Sequence, residues 1–393
     1  MKNIIAVYSA WTTGKDDAMK VFDHPLTLKE EGTVARMLES FIKSEVTTPV
    51  VIFPSSTHPK VIAHLRKLVK PYVKKMDVHI FDDEDLKEIV KNLRKNGFPK
   101  EFDDVWDIGN YGRYRNWMLL YGAFLGVDNV ITIDDDELIE KKGYIEDVVL
   151  EYIGTKQDGI TVWGKGGIYI DADGKKYVDE QDKSISEYDR WPKNKVLNQS
   201  MKDQVKAPGG RLVYCNAALG GNMITNRKIF LKVPYDINIT RGEDDDYVMN
   251  AEYLGFTYLF DKEMVVRHLP PGRDSLFWTR MGQDIKRFKY LREKVRIYNI
   301  DREKMSVMYK YYLTDDLEYN AVCGSIDAAK RFWSKGQKEE AEGFLQNALV
   351  GAKPDREEQI RLVERQMRFM DAWGKVLPKV EGIWKARTEN SKK

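Results

Sequence analysis

With 393 residues, the chain is long enough for one large domain plus an appendage and can bury a substantial core. Its 64 Lys and Arg against 62 Asp and Glu leave a formal net charge of +2, which gives no strong signal for a nucleic-acid or membrane-surface partner. Cys215 and Cys323 are the only cysteines, with no spacing suited to a disulfide framework or a zinc knuckle, and no run approaches eighteen apolar residues; a cytoplasmic protein without a transmembrane segment is expected.

The first third alternates β-rich runs with amphipathic segments, the pattern of βαβ units on a mostly parallel sheet. Strands are predicted at Asn3 to Tyr8, Thr48 to Phe53, Asp77 to Phe81 and Val130 to Ile133, with helices over Leu28 to Lys43, Pro59 to Lys74, Glu84 to Arg94 and Tyr111 to Leu125. Residues 159–180 carry Gly-rich and Asp-Gly turn signals and read as an antiparallel hairpin. Lys183 to Pro208 reads as a long polar surface loop. Arg211 to Ala218, a Gly-Gly-Asn turn at 220–222, a helix opening at Glu243, and strands at Phe256 to Phe260 and Met264 to Arg267 follow. From about Asp274 the periodicity is helical, and the final TENSKK is expected to be disordered. Pro-Pro-Gly at 270–272 marks the boundary between a domain at 1–271 and a helical extension at 272–393.

Two acidic clusters carry the chemistry. In VITIDDDE, strand alternation sets Asp134 and Asp136 on one side and Asp135 on the other, and such an oxygen pair suits Mg²⁺ or Mn²⁺ and the phosphate these ions bring. The clusters also have plain readings, a solvated turn for the first and a helix N-terminus complementing its dipole for Glu243 to Asp246. A carboxylate of the second group could instead serve as a general base toward a hydroxyl.

Three stretches, GRYRNWMLLYGAFLGVDNVITIDDDE, GGNMITNRKIF and GEDDDYVMNAEYLGF, resemble in this order the GT-A glycosyltransferases, most of all the inverting family 2 group. The resemblance covers roughly residues 4 to 271 and implies a Rossmann-like mixed α/β sheet flanked by helices. It further implies hexose transfer from a nucleotide-sugar donor such as GDP-mannose or UDP-glucose to a hydroxyl acceptor: a small solute, a glycan or a lipid-linked sugar. By the same resemblance, Tyr8, Arg113, Arg115, Asn116, Asp134 and Asp135 would lie on the donor side. Asp136 and His268 would hold Mn²⁺ or Mg²⁺, Asp244 would be the catalytic base, and Gly220, Gly221, Glu243 and Asp245 would face the acceptor. The family's Q-x-x-R-W motif is absent; Gln283 to Phe288 is the nearest counterpart, one residue too long, which argues against a processive polysaccharide synthase. Arg267, Arg273 and Arg280 are candidate diphosphate clamps, and Trp163, Trp191 and Trp278 candidate sugar platforms. The C-terminal helices would shape the acceptor site or an interface of a homo-oligomer. A nucleotidyltransferase of related fold, or a sugar-binding protein without catalysis, are the alternatives. Gly14-Lys15 lacks the rest of a P-loop.

Overall fold

Four short apolar runs form the parallel half of the sheet: Asn3–Ser9 (β1), Val50–Pro54 (β2), Val78–Ile80 (β3) and Asn129–Asp134 (β4). β1 pairs with β2 and β4, and β2 with β3. β1, β2 and β4 are apolar almost throughout because both faces of a parallel sheet are covered by helices. The crossovers carry Val34–Lys43 (α1), Pro59–Val69 (α2), Asp83–Lys95 (α3) and Tyr111–Leu125 (α4), in the expected order. α1 opens at Val34 rather than Leu28. The segment before it is diverted, with Leu26–Thr27 pairing Trp11–Thr12 and Gly32 at φ +76°, where a Cβ would come 2.5 Å from the Trp11 indole. The computed structural model describes residues 2–13, 22, 24–177, 190–271 and 277–383.

The other half of the sheet is mixed. Glu137–Leu138 (β5), Gly164–Ile170 (β6), Leu212–Tyr214 (β7), Met223–Asn226 (β8) and Leu259–His268 (β9) bring the sheet to nine strands among the described residues. The order is β7-β9-β6-β8-β4-β1-β2-β3, with β5 added on β9. β8 runs antiparallel to β4 and β6, whereas β6 and β9 are parallel.

Three expectations are corrected. Among the described residues β6 pairs with β8 and β9 rather than with residues 171–177, and the part of the expected hairpin beyond Tyr177 lies outside them. The polar stretch expected as a loop contains a helix, Lys193–Lys206 (α5), in which Val196, Asn198, Ser200, Met201 and Gln204 are buried; tertiary burial of one face stabilises a helix that its composition does not announce. The two strands expected after residue 255 are one, β9, with an irregular register opposite Gly166 to Ile168. Gly14-Lys15, Arg273 and the TENSKK tail lie outside the described residues.

The helices Glu243–Tyr253 (α6), Phe277–Tyr298 (α7), Val307–Tyr312 (α8), Leu317–Ser334 (α9), Lys338–Ala352 (α10) and Arg356–Val380 (α11) make the protein a mixed α/β sheet flanked by helices with a helical C-terminal region. Among the described residues no helix is long and apolar enough to cross a membrane. Of the C-terminal helices α11 shares the sheet's core, while Ile285, Phe288, Tyr309, Ala328 and Phe344 of α7 to α10 belong to a separate apolar cluster. Phe369, Trp373 and Leu377 of α11 belong to the same apolar cluster as Ile4, Ala6 and Tyr8 of β1, and the Trp373 Nε1 donates to the Phe230 carbonyl at 2.8 Å.

A buried ion cluster joins α7 to α6. Lys294 Nζ lies 2.6 Å from both Asp236 Oδ2 and Asp246 Oδ1, and all three residues are fully buried. Burial opposes the lysine's charge, yet the two facing carboxylates hold its pKa above the ordinary range. Removing the cation would strand two carboxylates in the core, so Lys294→Met should lower unfolding free energy by about 3–5 kcal/mol in urea titration. A loss under about 1 kcal/mol would mean this cluster does not hold α7 to α6.

Candidate active site

The acids of VITIDDDE meet those of α6 through one arginine. β4 ends at Asp134, and the chain turns at Asp135 and Asp136 before β5. α4 begins at Tyr111 because the Asn110 side chain caps it by accepting from the Arg113 N–H at 2.8 Å, and this sets Arg115 one turn inside the helix. Arg115 is 2% exposed; its Nη2 lies 3.1 Å from Asp134 Oδ1 and its Nε 3.2 Å from Glu243 Oε1. Burial disfavours the guanidinium charge, but Asp134 and Glu243 outweigh it and raise its pKa. The ring of Tyr8 lies 5.7 Å below the guanidinium.

A cleft of about 570 Å³ opens over this bridge. Tyr8, Arg115, Asp134, Asp135, Asp136 and His268 line it, as do Gly220, Glu243, Asp244 and Asp245. Tyr8 and Asp134 to Asp136 come from the carboxyl ends of β1 and β4, where an open α/β sheet binds ligands, Arg115 from α4 and His268 from the end of β9. Asp135 does not turn away as strand alternation predicted, because the strand stops one residue earlier. Its Oδ2 accepts from Ser9 Oγ at 2.5 Å, and Ser9 Oγ accepts from Trp11 Nε1 at 2.8 Å. Burial and the neighbouring Asp136 push Asp135 up to about 8.

Asp134 and Asp136 part company as well. Asp134 faces Arg115, whereas Asp136 lies 3.4 Å from His268 Nε2. Pairing of β5 with β9, with Glu137 opposite His268, creates this proximity. Burial opposes the Asp136 charge, but His268 and then His24 hold its pKa below the ordinary value. His24, Asp136 and His268 each offer a ligand atom, and these atoms all lie within 4.8 Å of one another. Two imidazole nitrogens and a carboxylate oxygen fit a divalent ion and favour a first-row transition metal such as Mn²⁺ over Mg²⁺, which prefers oxygen ligands. His24 was not singled out from the sequence; it lies in the segment between β1 and α1, and only folding brings it to His268.

The α6 acids separate by helical rotation. Asp244 Oδ2 accepts from the Gly220 N–H at 2.9 Å, Asp245 Oδ1 from the Ala218 N–H at 2.8 Å, and Asp246 turns into the core toward Lys294. Burial and the Asp244 charge raise Glu243 to about 7 and Asp245 to about 8.

The two glycines make room for charged side chains rather than for a sugar. A Cβ on Gly220 would lie 2.7 Å from Arg115 Nη2, and one on Gly221 2.1 Å from Glu137 Oε1. Gly220 still lines the cleft, but Gly221 does not. Two donor-side candidates serve the scaffold. Arg113 Nη1 donates to Asp107 Oδ2 at 2.9 Å, and Asn116 exchanges hydrogen bonds with the Tyr235 backbone, its Nδ2 donating to the carbonyl at 3.0 Å and its Oδ1 accepting from the N–H at 2.8 Å. Neither lines the cleft, and none of Trp163, Trp191 and Trp278 does. Trp191 is buried against Phe288 and Tyr312. Arg267 pairs with Glu140, while Arg280 lines the cleft. Sequence reasoning missed Tyr169, Lys193, Arg241 and Arg287 in the lining. Arg287 alone had a signal, within the segment compared with Q-x-x-R-W.

No family model and no curated protein matches the sequence. Among solved structures the chain is similar to the mannosyltransferase PcManGT from Pyrobaculum calidifontis in complex with GDP-Man and Mn²⁺, at 9% identity and a TM-score of 0.45 over 98% of this chain and 87% of that one. It is also similar to a mycobacterial protein, at 12% identity and 0.40 over 73% and 74%. GalNAc-T7 with UDP, GalNAc and Mn²⁺ matches at 12% and 0.39 over 79% and 53%. These likenesses are distant in sequence and geometry, and the functional conclusion rests on the site's own residues.

The raised pKa values set a pH dependence. Folded Glu243 and Asp245 keep protons that the unfolded chain releases near pH 4, so their contribution to stability is complete at lower pH and is lost as pH rises through about 7 to 8. Ligand-free protein in EDTA should melt lower at pH 9 than at pH 6. Asp245→Asn should reduce the slope by about one proton, ~1.4 kcal/mol per pH unit. An unchanged slope in that variant would show that Asp245 is ionised at neutral pH.

Proposed function

We propose that this chain is a GT-A glycosyltransferase of the inverting family 2 type. It moves a hexose from a nucleotide-diphosphate sugar, GDP-mannose or UDP-glucose, to an acceptor hydroxyl, with Mn²⁺ as cofactor. The observation that carries this reading is the single cleft in which the metal-type set His24, Asp136 and His268 faces the Asp244 carboxylate, with Arg115 bonded to the acids on both sides.

His24, Asp136 and His268 would hold the ion, which when bound offsets charge gathering on the departing diphosphate. Arg115 fixes the Asp134 carboxylate toward the donor and Glu243 toward the base. Gly220 donates to Asp244 and orients the carboxylate, leaving oxygen lone pairs for an acceptor O–H. Asp244 takes the proton of that hydroxyl as its oxygen bonds to the anomeric carbon. The bond from that carbon to the diphosphate oxygen breaks, and its electron pair leaves with the nucleoside diphosphate. In-line displacement of this kind inverts the anomeric centre.

Thermal-shift titration separates the parts. GDP-mannose or UDP-glucose should stabilise the protein only with Mn²⁺ present, and Asp136→Asn should abolish that metal-dependent shift. Asp244→Asn should keep donor binding and lose about 10²–10⁴-fold in transfer rate. Asp135→Asn, whose amide oxygen can still accept from Ser9, should cost less than about tenfold, ~1.4 kcal/mol. Transfer at wild-type rate in both Asp136→Asn and Asp244→Asn would refute the site. Donor binding with neither transfer to an acceptor nor hydrolysis by water would favour the sugar-binding alternative.

A further inference from the structure

A second set of charges lies in the cleft, away from the acids of β4. Lys193 of α5, Arg241 before α6, and Arg280 and Arg287 of α7 all line it. Lys193 and Arg287 share one buried carboxylate, Asp284; Arg287 Nη2 lies 3.2 Å from its Oδ1. Arg287 Nη1 also donates to the Arg241 carbonyl at 3.0 Å. The guanidinium is packed so closely over Gly242 that a Cβ there would fall 1.3 Å from Nη1, and Gly242 itself is left-handed at φ +70°.

Among the described residues, Lys193, Arg280 and Arg287 set three cations against the one carboxylate of Asp284. Arg287 is 5% exposed and its Nε has no hydrogen-bond partner. Arg280 has neither a hydrogen bond nor an ion pair among the described residues. Burial, then the charges of Arg241 and Arg287, lower Lys193 to about 8 despite Asp284. Cations that repel one another in a desolvated pocket call for an anion between them.

The position of the set separates it from the donor half. Arg287 bonds the carbonyl of Arg241, two residues before Glu243 opens α6, and its guanidinium covers Gly242, whereas the cation bonded to Asp134 is Arg115. The surplus therefore borders the base side of the cleft. A phosphate matches it in charge and in oxygen count, since guanidinium forks bond phosphate oxygens in pairs and lysine adds a point charge.

We infer that the acceptor is a phosphorylated hydroxyl compound, whose phosphate is held by Lys193, Arg241, Arg280 and Arg287 while its hydroxyl faces Asp244. The role of acceptor rests on the proposed transfer reaction, but the phosphate site does not depend on it. The test is calorimetric titration of the full chain with sn-glycerol 3-phosphate and with glycerol, in EDTA and without nucleotide. The phosphate ester should bind at least tenfold more tightly, and Arg280→Gln and Arg287→Met should each lose at least fivefold of that preference. Arg280 sits half-exposed on the cleft wall, so its variant reads binding even where Arg287→Met fails to fold. Equal binding of the two compounds, or an unchanged preference in Arg280→Gln, overturns the inference. A second titration adds saturating GDP or UDP with Mn²⁺. Undiminished glycerol phosphate binding supports an acceptor site, and competitive displacement assigns the cations to the donor's diphosphate and overturns it. Failure of every nucleotide sugar to bind would count against the transfer reaction alone, because the first titration contains none.

Discussion

One buried guanidinium sets the geometry of the cleft. Asp134 ends a strand and Glu243 starts a helix more than a hundred residues later, and Arg115 touches both. Two carboxylates brought this close out of water repel each other strongly, and each would take up a proton rather than ionise. A permanently charged, forked cation between them lets both halves of the cleft be built from acids. The surroundings are shaped to that side chain: Gly220 leaves it space, Tyr8 lies against its face, and the Asn110 cap fixes where its helix begins.

Sheet topology then decides what reaches the bridge. β4 lies between β1 and the antiparallel β8, so its carboxyl end opens beside the turn that carries Gly220. The two-residue strand β5 folds back onto β9, and this puts His268 against Asp136. On the other wall, α7 enters from the C-terminal region and supplies Arg280 and Arg287 to the cleft, while its Lys294 neutralises Asp246 and Asp236 in the core. The same helix is thereby both a support for α6 and part of the cleft's lining.

Much of the layout was legible because periodicity is local. The parallel βαβ half follows from alternating apolar runs, and its strands and helices come in the order the pattern gave, with α1 opening later at Val34 and α2 ending earlier at Val69. The acidic clusters, the Gly-Gly turn and His268 could be named because their residue types and order are unusual. Arg113 and Asn116 shared that motif context and were read as donor contacts, but side-chain direction on α4 sends them to Asp107 and the Tyr235 backbone. Gly221 was read as room for a sugar and makes room for Glu137. α5 was missed because a polar helix shows its buried face only once a neighbour covers it.

The sequence by itself determined the elements of the parallel half, the identity of the acids and the chemistry they can do, since propensity, alternation and charge are properties of neighbours along the chain. Tertiary structure alone decided which acids share a partner. It turned Asp246 inward and Asp244 outward, drew His24 to His268 from the far end of the sheet domain's sequence, and set Lys193 beside Arg287 around one aspartate. Those outcomes depend on distances between residues far apart in the chain, and on a loss of water that shifts each group's charge only when the chain is folded.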